Sequence, residues 1–167
     1  MLAFLAIALT WNHCGLGHFS MGTRHRGAIE EINALNAFIK LQRAGESVSA
    51  RVHTVLPDDL TITQFGVLEA LHHIGPLCQG ELAEKLLKSG GNLTLVVDNL
   101  EKAGHVQRER DPADRRFVIV KLTPKGEAFI SALFPKVVAN VTREMAVLSS
   151  TELSDLGRLC KKIGRQA

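Results

Sequence analysis

The sequence predicts a mainly α-helical fold with a small β-wing: a helix-turn-helix followed by a hairpin, flanked by longer helices on both sides. Three observations predict it. Apolar residues recur every three or four positions through most of the chain after Met21, the spacing of amphipathic helices. Two short helical stretches, residues 79–87 and 91–103, are joined by the turn sequence Lys88-Ser89-Gly90-Gly91. Directly after them, between Gly104 and Gly126, residues 105–109 and 117–120 have strand composition, and Asp111-Pro112-Ala113-Asp114 has turn chemistry.

In chain order, residues 1–25 read as an extension outside the fold, disordered or non-native. Leu2 to Leu9 is apolar but lacks a preceding Lys or Arg and is too short to span a membrane, so a secretory signal is the poorer reading. Residues 26–58 hold the first helix, with Ile29, Ile32, Leu35, Phe38, Ile39, Leu41, Val48, Val52 and Val55 on its apolar face. Gly45 is a point where it can kink, and Pro57-Asp58-Asp59 stops it. Residues 59–124 form the winged helix-turn-helix. Thr61 or Thr63 caps its first helix, which turns Phe65, Leu68, Leu71 and Ile74 inward and ends at Gly75-Pro76. Leu82, Ala83, Leu86 and Leu87 are the inward set of the next helix; Leu93, Val96, Val97 and Leu100 are that of the one after.

Residues 125–167 hold the last two helices. Thr123 caps the first, Pro124 takes its first position, and Pro135 lies inside the run Phe129, Leu133, Val137, Val141, Met145, Leu148, where it should bend the helix. Ser149-Ser150-Thr151-Glu152 is a capping box for the other, which offers Leu153, Leu156, Leu159, Cys160 and Ile163. The flanking apolar stripes exceed what one small core requires. Pairing with a second copy would bury the excess, so the first and last segments read as dimerisation helices; a monomer with these helices folded back is the alternative.

Composition narrows the function classes. At 167 residues, 46% hydrophobic and 22% charged, the chain is an ordinary globular domain with extensions. A net charge of +3 is compatible with nucleic acid without being diagnostic of it. The cations concentrate in one segment: Lys85, Lys88, Lys102, Arg108, Arg110, Arg115, Arg116, Lys121 and Lys125. Cys14, Cys78 and Cys160 form no CxxC pair, which fits a reducing, cytoplasmic setting. His72 and His73 are helix neighbours pointing about 100° apart, a poor metal clamp. No metal site and no cofactor is expected. A thiol enzyme using Cys78 with His72 or His73 lacks a nucleophile motif and a third orienting residue, so the chain reads as a non-enzyme.

The candidate site is a DNA-binding surface. Ser89, Gly91, Asn92 and Thr94 open the second helix of the helix-turn-helix, where side chains reach base edges. Asn92 suits adenine, and Thr94 suits a thymine methyl or a phosphate. Leu95 and Asn99 fall on the face away from Val96, Val97 and Leu100; Leu95 either touches thymine methyls or packs against a helix. Gln79 and the N–H groups of its helix can hold phosphate, and Lys88 and Lys102 are phosphate contacts or merely solvated. Arg115 and Arg116 at the hairpin tip suit the potential of a narrow minor groove; a structural hairpin with solvated charges is the bland alternative.

These residues resemble the MarR family of bacterial transcription regulators. The resemblance rests on Leu60-Thr61-Ile62-Thr63-Gln64-Phe65-Gly66-Val67-Leu68, Gly75-Pro76-Leu77, and Val97-Asp98-Asn99-Leu100-Glu101-Lys102-Ala103-Gly104. The wing string Asp111-Pro112-Ala113-Asp114-Arg115-Arg116, with its spacing to Leu122-Thr123-Pro124-Lys125-Gly126, completes it, and it covers about residues 28–164. It implies a homodimer that represses operons by covering a palindromic operator in double-stranded DNA. Release comes from a small molecule, often phenolic or anionic, or from a thiol oxidant; catalytic residues and membrane partners are not implied. The family's Asp-x-Arg pattern falls on Asp114 and Arg116, which implies that Arg116 enters the minor groove, that Asp114 steers an arginine, and that Arg115 touches phosphate. Ser89-Gly90-Gly91-Asn92 and Leu133-Phe134-Pro135 resemble the branch with quinone-responsive repressors.

By the same resemblance, an effector site lies between the helical region and the winged domain, where Arg51, His53, His72 and His73 are candidate lining residues. Each is otherwise a surface or satisfied core residue. Cys78, at or just before a helix N-terminus, is a redox-sensing candidate, although family members that sense peroxide place their cysteine near the first helix. The readings left open are a ligand-released repressor, a thiol-based redox-sensing repressor, and a winged-helix protein-interaction module that binds no DNA.

Overall fold

The computed structural model describes residues 23–86, 90–110, 114 and 116–164. The expectations for residues 1–22, Lys88, Ser89 and Arg115 therefore lie outside the described residues. Internal contacts divide the chain into two units, residues 1–45 and 46–167.

The described part of the first unit opens helix α1 (Ile29–Val52). Glu30 and Glu31 stand in its first turn, where the positive end of the helix dipole favours them. The Glu31 carboxylate accepts from the Ala28 N–H at 3.2 Å and bonds His25 Nε2 at 3.0 Å. The Thr23 N–H donates to Asn36 Oδ1 at 2.7 Å.

The second unit carries the core and the sheet. α1 is helical through Gly45 to Val52, and a 3-10 turn at His53–Val55 follows it. α2 (Ile62–Ile74) is capped by Thr61, not Thr63: Thr61 Oγ1 accepts from the Gln64 N–H at 3.2 Å, and Gln64 Oε1 accepts from the Thr61 N–H at 2.8 Å. The helix buries Phe65, Val67, Leu68 and Leu71 and stops at Gly75, whose φ of +94° suits a residue without a Cβ. After it come β1 (Leu77–Cys78), α3 (Gln79–Lys85), α4 (Gly90–Lys102), β2 (Val106–Arg110) and β3 (Val118–Leu122). The strands form an antiparallel sheet in the order β1-β3-β2. Val120 on the central strand lies opposite Leu77 on one side and Arg108 on the other. The sequence reading anticipated the hairpin to within a residue or two and missed β1.

Two joints hold this frame. α4 ends at Gly104, φ +75°, with the Gly104 N–H on the Glu101 carbonyl at 2.9 Å and the His105 N–H on the Leu100 carbonyl at 2.9 Å. That paired closure is the glycine-terminated turn that frees a chain to leave a helix as a strand. At the second joint, the His105 carbonyl accepts from the Thr123 N–H at 3.0 Å. Thr123 caps α5 (Pro124–Met145) by accepting from the Gly126 N–H at 3.0 Å. Gly126 presses against the same carbonyl so closely that a Cβ there would sit 1.9 Å from the His105 oxygen.

Leu68, Leu82, Leu93, Leu100 and Ile130 are fully buried, drawing α2, α3, α4 and α5 onto one core. Each such side chain contributes about 1.5–3 kcal/mol relative to exposure. Among the described residues Asn140 of α5 is the buried polar one; its Nδ2 donates to the Val52 carbonyl at 3.2 Å. α5 remains one helix across the exposed Pro135. α6 (Ser150–Gly164) buries no residue, and Leu153, Leu156, Leu159 and Ile163 form an exposed apolar stripe on it. Among the described residues no helix is long and apolar enough to cross a membrane.

Candidate nucleic-acid interface

The first two turns of α4, Gly90 to Val97, carry no charged residue. Leu93, Val97 and Leu100 anchor one side of this helix in the core, which turns Gly91, Asn92, Leu95 and Asn99 to the surface. Leu95 is 60% exposed and therefore does not pack as a core leucine. Thr94 is engaged: its hydroxyl donates to the Gly90 carbonyl at 3.1 Å and accepts from Gln79 Nε2 at 2.7 Å. Two residues expected to contact DNA separately are thus tied together, and the start of α3 is linked to the start of α4.

Arg108 of β2 fixes the wing to the helix. Its guanidinium contacts Asp98 and Glu101, each at 2.6 Å, and donates to the Thr94 carbonyl at 3.3 Å. The Arg108 N–H also donates to Glu101 at 3.0 Å. The spread of cations expected from the sequence is narrower in three dimensions. Arg108 is neutralised by two acids, Lys121 pairs with Glu109, and Lys125 donates to the Ala103 carbonyl at the end of α4. Lys102 is exposed in the last turn of α4.

At the wing, Arg116 is 86% exposed on its side chain. Asp114 accepts from the Arg116 backbone N–H at 3.0 Å, from Nε at 3.0 Å and from Nη2 at 2.6 Å. The guanidinium bonds, and then the backbone N–H, hold the Asp114 carboxyl below the usual carboxylate range, and the same carboxylate raises the Arg116 pKa. Asp114 therefore steers the arginine two residues along its own turn, by a forked, charge-assisted contact.

Comparison with known proteins places this geometry. Residues 60–118 match the model of the MarR family. The HTH-type transcriptional regulator MhqR of Bacillus subtilis (strain 168) is 32% identical over 135 residues, covering 80% of this chain and 93% of that protein. The chain belongs to the MarR family of transcriptional regulators. The crystal structure of a cysteine-to-serine mutant of MarR from E. coli complexed with operator DNA is similar at 30% identity and a TM-score of 0.65, covering 77% of this chain and 96% of that one. BpsR of Bordetella bronchiseptica, described with a mechanism for regulation of its DNA binding by 6-hydroxynicotinic acid, is similar at 27% identity and a TM-score of 0.70, covering 77% and 98%.

In this MarR-family regulator one of the four candidate effector residues, His53, lines a cleft of about 220 Å³ with Ile62, Thr63, Phe65, Gly66, Glu69 and Leu86. Its Nδ1 bonds the Ser49 carbonyl at 2.7 Å, and its ring meets the Phe65 ring edge-on at 5.8 Å. Arg51, by contrast, pairs with Glu144 and donates to Ser47. His72 bonds Glu127 at 2.8 Å, and His73 packs edge-on against Phe134 at 4.7 Å. None of these three lines the His53 cleft.

Cys78 stands just before α3 and lines a different cleft, with Pro76, Glu81, Phe117 and Ile119. Glu81 accepts from the Cys78 N–H at 2.9 Å and from its thiol, contacts that lower the Glu81 pKa in that order. Cys78 and Cys160 are both free thiols. Sequence reasoning missed Arg108 as the wing's anchor. The signal was available as Asp98 and Glu101 on one helix flank, but only the fold places a strand arginine between them.

Proposed function

We propose that this regulator is a DNA-binding homodimer that represses transcription at a palindromic operator and is released by a small aromatic or phenolic ligand. One observation carries the reading. An uncharged, exposed helix start is locked by Arg108 to a hairpin whose tip holds an oriented, solvent-facing guanidinium. Base edges take the first element and a narrow minor groove takes the second. The operator-DNA complex of the E. coli MarR mutant supports this use of the fold. Gln79 and Lys102 contact phosphate, together with Lys88 and Arg115 outside the described residues, and Ser89, also outside them, reaches base edges.

The apolar stripe of α6 supports self-association, since an exposed row of leucines on a strongly amphipathic helix needs a cover. Twofold proteins match inverted-repeat sites. The His53 cleft, with Phe65 and Leu86 in its wall, supports a ligand built on a single ring, and regulation of BpsR by 6-hydroxynicotinic acid supports that class of ligand.

Gel-shift titration of Arg116→Ala against the sequence upstream of the regulator's own gene tests the central claim. Operator affinity falls by about 1–3 kcal/mol, and wild-type binding weakens steeply with salt as counterions are released. Equal affinity of variant and wild type removes the wing from the mechanism. Binding indifferent to salt removes the DNA reading altogether.

A further inference from the structure

The surface of α4 restricts what it can read. Resting on the DNA-binding reading above, we propose that this regulator recognises A·T base pairs in the major groove, with Leu95 packing on a thymine methyl as the specificity-determining contact.

The argument is one of elimination and fit. Guanine is read in the major groove chiefly by arginine or lysine, and cytosine by an acid. The first two turns of α4 hold no charged residue at all. The acids further along, Asp98 and Glu101, are occupied by Arg108, which is itself consumed by them. Lys102 lies seven residues beyond Leu95, about 10 Å along the axis, at the end of the helix that leaves the groove first. Among the described residues of α4, what remains is Asn92 and Asn99 with Leu95 between them on one exposed face, beside Thr94, whose hydroxyl is held by Gln79 and the Gly90 carbonyl. Asparagine offers the donor–acceptor pair that adenine N7 and N6 require. Leucine offers nothing but apolar surface, and the one apolar group a base pair presents in that groove is the thymine C5 methyl.

The exposure of Leu95 has a cost in water that a methyl contact removes. It stands on a helix whose opposite side is fully packed, so no internal motion hides it. The oriented Arg116 points the same way, because narrow minor grooves that attract arginine occur in A-tracts.

The test uses the purified full chain. Binding sites are selected from random duplexes, and affinity is then measured on the selected site with thymine replaced by uracil, position by position, and with guanine replaced by 7-deazaguanine. Uracil at one position in each half-site weakens wild-type binding about fourfold per half-site, the scale of one buried methyl. Leu95→Ala binds the thymine and uracil sites equally, and 7-deazaguanine changes nothing. Uracil tolerated everywhere by the wild type, or a Leu95→Ala variant that still discriminates uracil, overturns the proposal. A selected site anchored on guanine N7 overturns it as well, while leaving the DNA-binding reading intact. A chain that enriches no duplex refutes that reading itself.

Discussion

In an Arg108→Met variant the aliphatic stem between β2 and α4 is kept, while Asp98 and Glu101 lose their cation. Both contacts are 2.6 Å long, but the carboxylates are 41% and 40% exposed, so solvent screens them. At about 0.5–1 kcal/mol for each screened pair, with the Thr94 carbonyl bond counted inside that range, the loss is about 1–2 kcal/mol. Urea unfolding monitored by circular dichroism should show the midpoint falling with an unchanged slope. Operator binding should fall further than stability alone explains, because two uncompensated carboxylates then stand beside a phosphate surface. Adding Asp98→Asn and Glu101→Gln to Arg108→Met should restore most of the binding. Unfolding within about 0.3 kcal/mol of wild type, together with unchanged affinity at low salt, would refute the idea that Arg108 aligns wing and helix.

Three further outcomes are expected. Gly126→Ala places a methyl 1.9 Å from the His105 carbonyl and destabilises the fold by about 1–3 kcal/mol in the same unfolding assay, whereas Gly157→Ala, inside α6 with nothing within 4 Å, leaves stability unchanged or raises it by up to about 1 kcal/mol. Burial first and Lys125 second hold the His105 pKa below its ordinary 6.5, so the unfolded chain takes up that proton more readily than the folded one. Its contribution is therefore complete above pH 6.5 and lost as pH falls through the lower folded value; a pH series should show His105→Phe flattening that decline, in a window above the one where carboxylates such as Glu144 titrate. Leu153→Lys with Leu156→Lys should convert the chain to a monomer in sedimentation velocity, and a double variant that still sediments with the wild type excludes the α6 stripe from self-association.

Periodicity makes the helices legible because packing one face onto a core leaves a three-to-four spacing behind it: of the inward set Phe65, Leu68, Leu71 and Ile74, the first three are buried, while Ile74 in the last turn is exposed. The hairpin was legible because its turn and strand chemistry are local. β1 was not, since two residues carry no period and the strand exists only because β3 supplies hydrogen bonds some forty positions away. The candidate site divided the same way. Asn92 is legible from its place at the start of the helix, Leu95 and Asn99 from their helical angle, and all three are exposed. The bond from Gln79 to Thr94 and the acid pair on Arg108 depend on contacts between distant segments. Charge counting overstated the cationic surface for the same reason: a sequence does not say which cations already have partners.

The joint at His105 bears on how such a molecule responds to change. One carbonyl of the strand leaving α4 receives the Thr123 amide and lies in van der Waals contact with Gly126, at the very root of α5. There is no slack between the long helix and the hairpin. A tilt of α5 would therefore pull directly on the root of β2, the strand that leads to the arginine-bearing end of the hairpin.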